Sequence, residues 1–122
     1  MAIHNDIGKL GEDLAVEYLE KDGFKIFDRN YNLEKNEIDI VAFWEEPAEL
    51  HVVEVKTRTR DVEPENTLSE QQQKNIAKVA KFYVLERQLI TVPVVFDLLI
   101  VNLSNPEAPE FEHLEDVFRP GR

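Results

Sequence analysis

Three acids and a lysine stand where their neighbours ask for burial: Glu12, Asp39, Glu54 and Lys56. In "LHVVEVKTRTR", Leu50 to Arg60, the pleat puts Leu50, Val52, Glu54 and Lys56 on one strand face and His51, Val53 and Val55 on the other. In "NEIDIVAF", Asp39 interrupts an apolar run between Ile38 and Ile40, on a face that alternation shares with Glu37, Val41 and Phe43. Carboxylates gathered at one point repel, and a hard divalent cation removes that penalty. Oxygen donors with several retained waters suit Mg²⁺ or Mn²⁺. A lysine beside such an ion can orient a water or stabilise the charge that builds on a phosphate, so the set has the parts for phosphodiester hydrolysis. On this reading Asp39 and Glu54 are metal ligands, the Val55 carbonyl completes the protein's share, and Lys56 acts on nucleophile or phosphate. Glu12 lies at the edge of the site.

The bland alternative for the strand is a cross-strand ion pair or an exposed sheet edge, and for Glu12 the border of an apolar helix stripe. The elements that must position these residues follow from periodicity. "NDIGKLGEDLAVEYLEKDG" reads as a helix capped by Asn5 or Asp6 and stopped at Gly23, with Gly8, Glu12, Ala15 and Leu19 along one face. Strands are predicted at Phe24 to Arg29, Glu37 to Phe43 and Leu50 to Thr57, the last two forming a hairpin across which Asp39 meets Glu54 and Lys56. "RTRDVEPENTL" reads as a loop. Ser69 and Gln72 then form a capping box opening a helix to about Arg87. "TVPVVFDLLIV" is a strand buried on both faces apart from Asp97, and "PEFEHLEDVF" adds a last short strand or turn. The order αβββαβ predicts an α/β (α+β) core, a mixed sheet flanked by helices, as a single domain over residues 1–122.

A formal charge of -11 rules out binding nucleic acid through overall charge. The stretch from Lys56 to Arg87 nevertheless carries a small basic excess. There Arg58, Arg60, Lys74, Lys78 and Lys81 are the candidate phosphate contacts, with Gln72 and Gln73 able to hydrogen-bond a phosphate or a water. The plain reading of the three lysines is solvated surface. No cysteine is present, so a disulfide framework and cysteine-held zinc are excluded. His4, His51 and His113 show no metal-ligand spacing and read as incidental, and Trp44 reads as packing at a strand end. No run approaches the roughly 20 apolar residues of a membrane span. The N-terminus lacks an export pattern, which makes the cytoplasm the expected location.

Asp39 followed after fourteen residues by "EVK" resembles the signature of the PD-(D/E)XK nuclease superfamily. "GKLGEDLAVEYLEKDGF", "NEIDIVAF", "HVVEVKTRT", "NIAKVAKFYV" and "FDLLIV", in this order, resemble the YraN-like family of small bacterial proteins. That family is similar in fold to archaeal Holliday-junction resolvases. The resemblance implies a restriction-endonuclease-like fold and a Mg²⁺- or Mn²⁺-dependent endonuclease acting on DNA, with branched or damaged DNA and repair as its setting. It places the acidic cluster on Glu12, Asp39, Glu54 and Lys56. Two departures stand out: Asn36 replaces the usual glycine before "EID", a residue tolerant of left-handed backbone, and Val95 replaces a usual arginine. The alternative from another class is a noncatalytic adaptor of nuclease fold that binds nucleic acid or a repair protein. DNA versus RNA and a homodimeric state are both left open by the sequence.

Overall fold

The computed structural model describes residues 3–60 and 68–121, with side chains from Asp6 onward. Helix α1 (Ile3–Asp22) precedes three strands, β1 (Lys25–Leu33), β2 (Asn36–Trp44) and β3 (Glu49–Arg58). Helix α2 (Glu70–Glu86) follows, then β4 (Val94–Asn102) and β5 (Glu110–Phe118). The strands form one sheet in the order β1-β2-β3-β4-β5, antiparallel except for the β3–β4 pair. A parallel pair needs a long crossover, and α2 supplies it. This is a restriction-endonuclease-like α/β core. The fifth strand is full length rather than a turn. Most of the loop expected after Arg58 lies outside the described residues.

The helix ends follow their local chemistry. Ser69 Oγ accepts from Gln72 N–H while the Gln72 side chain accepts from Ser69 N–H, closing the capping box. Gly23, at φ +116°, ends α1 in a conformation that glycine adopts without strain, with Phe24 N–H returning to the Leu19 carbonyl at 2.9 Å. At the other end α1 begins at Ile3, so Asn5 and Asp6 lie inside its first turns rather than capping it.

Two apolar layers sandwich the sheet. Ala15 and Leu19 of α1 pack with Ile40, Ala42, Val53, Leu99 and Val101; Ile76, Val79, Ala80 and Tyr83 of α2 pack with Ile38, Val41, Val52, Leu98 and Ile100. Gly11 sets the approach of α1, because a Cβ there would collide with the Thr57 side chain. Tyr83 fastens α2 to β1: its hydroxyl donates to Asp28 Oδ2 at 2.6 Å, and Arg87 pairs with the same oxygen at 2.8 Å. Trp44 packs at the end of β2, as expected, against Phe24, with its indole N–H donating to the Glu46 carbonyl. The turn before "EID" keeps its shape by another residue than Asn36: the left-handed position is Glu34, at φ 58°, and Asn36 lies in ordinary strand backbone.

Candidate active site

β2 and β3 pair from Trp44/Glu49 as far as Ile40/Val53 and then part. At the fork the pleat of β2 is interrupted, since Ile38 faces α2 while Ile40, two residues on, faces α1. Asp39 occupies the break. Its Oδ2 accepts the Val55 N–H at 2.9 Å, so a side chain replaces the missing main-chain partner across the fork. Glu54 projects from β3 beside it, and the two carboxyls are close enough to share a proton. Burial is the main reason both hold protons tightly. For Asp39 the Val55 hydrogen bond opposes this and the Glu12 charge adds to it, leaving the carboxyl at about 6. For Glu54 the Asp39 charge adds to burial and the nearby Lys56 opposes it, leaving it at about 8. Among the described residues Lys56 forms no ion pair within 4.0 Å, and its charge acts on Glu54 through space.

Glu12 reaches this pair through its field and is held elsewhere. Its Oε1 accepts from Arg29 Nη2 at 2.9 Å and its Oε2 from Asn30 Nδ2 at 3.0 Å. Arg29 also binds Asp13 at 2.6 Å, a hydrogen bond that holds the Asp13 carboxyl below its ordinary range. Asn30 sits at φ 51°, a left-handed turn of β1 that aims its amide at Glu12. These two positioning residues escaped the sequence reading. Arginine and asparagine in a polar strand segment announce nothing until the helix is docked over them.

The other candidates are more dispersed. Gln72 is engaged in the helix cap, and Gln73 Nε2 donates to the Leu68 carbonyl at 2.8 Å, so both have local partners. Arg58 continues β3, its carbonyl accepting from Leu103 N–H, and Arg60 is exposed beyond the strand. The Val55 side chain packs in the α1 layer. Lys74, Lys78 and Lys81 border a groove of about 1030 Å³ between α2 and the β4–β5 end of the sheet, floored by Ala77, Val84, Phe96 and Phe118, and Lys78 also pairs with Glu34 at 3.1 Å.

On the sheet face toward α1 a second polar cluster corrects the reading of two histidines as incidental. Asp97 is 1% exposed, and its Oδ2 accepts from His51 Nδ1 at 2.6 Å and His113 Nε2 at 2.8 Å. Its Oδ1 accepts the Asp116 N–H at 3.1 Å. His51 Nε2 in turn donates to Glu49 Oε1 at 3.1 Å. Burial raises the Asp97 carboxyl, but the two histidine bonds outweigh it and leave it below its ordinary value. Burial likewise lowers His51, and the Asp97 bond and charge with Glu49 outweigh that, leaving it raised. His51, Asp97 and Glu115 place donor atoms within 4.8 Å of one another, a group that could hold a metal ion. Its sequence signal was a lone acid in a doubly buried strand, which must find partners. Residues 46 and 16 positions away supply them.

A sheet with one parallel pair, a forked hairpin and two adjoining carboxyls beside a lysine define an α/β protein of restriction-endonuclease-like core. The chain belongs to the uncharacterised protein family UPF0102, whose family model matches residues 11–101. It is 39% identical over 120 residues to a UPF0102 protein of Flavobacterium psychrophilum, covering 97% of this chain and 98% of that one. It is also 39% identical to a UPF0102 protein of Dictyoglomus turgidum, covering 94% and 98%. No helix among the described residues is long and apolar enough to cross a membrane.

Proposed function

We propose that this protein is a Mg²⁺- or Mn²⁺-dependent endonuclease that hydrolyses phosphodiester bonds of DNA, with branched or damaged DNA as its substrate and repair as its setting. The observation that carries the reading is the pair Asp39 and Glu54, two half-buried neighbouring carboxyls that, among the described residues, have no arginine or histidine partner at the fork of a hairpin. A protein gains no stability from such a pair by itself. The donor set fits a hard divalent ion: both acids offer carboxylate oxygens, and the ion would take the place of the proton between them. Asp39, Glu54 and the Val55 carbonyl would hold the ion, which when bound neutralises the carboxylates and the phosphate and makes a water more acidic.

The chain's own residues do the rest. Val55 N–H fixes the orientation of the Asp39 carboxylate. As a water oxygen bonds to phosphorus and the bond to one bridging oxygen breaks, negative charge grows on the phosphoryl oxygens, and the Lys56 ammonium is placed to stabilise it. Glu12, steadied by Arg29 and Asn30, adds negative potential that favours cation entry. Arg58, Arg60, Lys74, Lys78 and Lys81 are the proposed phosphate contacts, with Gln72 and Gln73 at the start of α2.

The test is cleavage of four-way junction, flapped, duplex and single-stranded DNA, and of RNA, with Mg²⁺ or Mn²⁺, using Glu54→Gln as the control. Metal-dependent cutting that the variant lacks supports the reading; binding without cutting at any metal concentration would favour the noncatalytic adaptor. The apolar groove beside α2 is the observation that keeps that second reading in view.

A further inference from the structure

The cluster on the α1 face contains more carboxylate than its histidines neutralise in their neutral form. Asp97, Glu49 and Glu115 surround His51, whose ring nitrogens both face carboxylate oxygens. A carboxylate only accepts, so both nitrogens must carry protons for both bonds to form. His113 contributes another N–H to the same Asp97 oxygen. Phe24 meets both imidazoles, edge to face, at 4.9 and 5.9 Å between ring centroids, and shields the cluster from one side. Glu115, whose side chain is 58% exposed, opens it to solvent on another.

We propose that His51 Nδ1, Asp97 Oδ2 and Glu115 Oε1 form a site for one divalent transition ion of borderline softness, Zn²⁺ or Co²⁺, that ties β5 to β3 and β4. Three observations support it. First, the donor set joins an imidazole to two carboxylates, a mixture that suits such ions better than the all-oxygen shell of Mg²⁺. Second, Glu49 accepts from His51 Nε2 and thereby selects the tautomer whose Nδ1 is available, the outer-shell carboxylate arrangement that orients metal-bound histidines. Third, the spacing fits. A tetrahedral ion with bonds near 2.0–2.1 Å separates its ligand atoms by roughly 3.4 Å; His51 Nδ1 lies 2.6 Å from Asp97 and 4.0 Å from Glu115, values on either side of that figure. The three donor atoms all lie within 4.8 Å of one another.

Loading is an exchange. The ion takes the place of the proton on His51 Nδ1, which leaves to solvent, while Nε2 keeps its proton toward Glu49. The site is separate from the proposed catalytic one, since His51 lies in the paired part of β2 and β3 and Asp39 and Glu54 lie past the point where those strands part.

The experiment uses the full chain carrying Asp39→Asn and Glu54→Gln, which removes the other carboxyl pair. Metal-free protein is titrated with Co²⁺ and with Zn²⁺ near pH 6, following visible Co²⁺ absorption and the heat of binding in two buffers of different ionisation enthalpy. One equivalent should bind with release of about one proton, and Zn²⁺ should displace Co²⁺. Amide exchange in β5 should slow on loading. Glu115→Gln, at an exposed position that leaves folding intact, should weaken binding about tenfold or more. Absence of a saturating one-to-one signal in the doubly substituted chain would overturn the proposal. So would binding that Glu115→Gln leaves unweakened.

Discussion

The same sheet buries carboxylates in two places and treats them in opposite ways. At Asp97 the acid is met by two imidazoles and a main-chain N–H, and its proton affinity falls. At Asp39 and Glu54 the acids meet each other, with the Lys56 charge opposing the rise at Glu54, and their proton affinity rises. Asp97 is the more deeply buried, yet it is at half-buried Asp39 and Glu54 that proton affinity rises, so the difference lies in the partners. An acid that the fold has neutralised holds strands together. A pair that the fold has not neutralised is strained until a proton or an external cation arrives, which is how a binding or catalytic site differs from a structural one.

The contrast is broken or sharpened most strongly at Asp97. Asp97→Asn turns an anionic acceptor into an amide facing two buried imidazoles, and breaking a buried pair in this way costs about 3–5 kcal/mol. Denaturant unfolding should show that loss; a change below about 1 kcal/mol would mean the cluster contributes little, contrary to the assignment.

At the other cluster the largest effect should be on rate. Lys56→Ala should lower cleavage about 10²- to 10³-fold, the scale for removing one group that stabilises transition-state charge, while DNA affinity changes little. Equal losses of affinity and rate would make Lys56 a binding residue.

Asp39→Asn should leave the metal-free melting temperature unchanged or raise it, because the amide can still accept from Val55 N–H while the repulsion with Glu54 disappears. The pH dependence gives the sign. Asp39 and Glu54 have folded values raised to about 6 and about 8. Their favourable contribution is therefore complete below the ordinary carboxylate range and is lost as pH rises through those values. The advantage of Asp39→Asn over the native chain should accordingly grow between about pH 5 and 9, and Mg²⁺ should restore the native chain preferentially. Asp97, whose value is lowered, behaves oppositely: its contribution is present above the ordinary range and is lost as acid titrates it. An Asp39→Asn advantage that shrinks with pH would contradict the account of the fork.

The smallest effect concerns the surface. Neutralising Lys74, Lys78 and Lys81 together should flatten the salt dependence of DNA binding by about 0.9 in log–log slope for each true duplex contact. Lys78, already paired with Glu34, should contribute least. An unchanged slope would move the phosphate path away from α2.

Much of this was legible in the residues alone. Alternation and helical spacing located α1, α2 and the strands, because burying one face imposes a period that sequence carries openly. The capping box at Ser69 and the stop at Gly23 are local devices with local signatures. Asp39, Glu54 and Lys56 could be singled out because charge in an apolar run is itself the anomaly. Partners distant along the chain were decided only by tertiary structure. Alternation placed Asp39 on a face with Val41; the broken pleat turned it into the fork, where Val55 N–H receives it. Arg29 and Asn30 became the holders of Glu12 because Gly11 lets α1 lie against Thr57. His51, Asp97 and His113 lie on three strands, and only the register of β3, β4 and β5 brings them together. A period is written in neighbouring residues, whereas a hydrogen bond between strands depends on where the whole chain comes to rest.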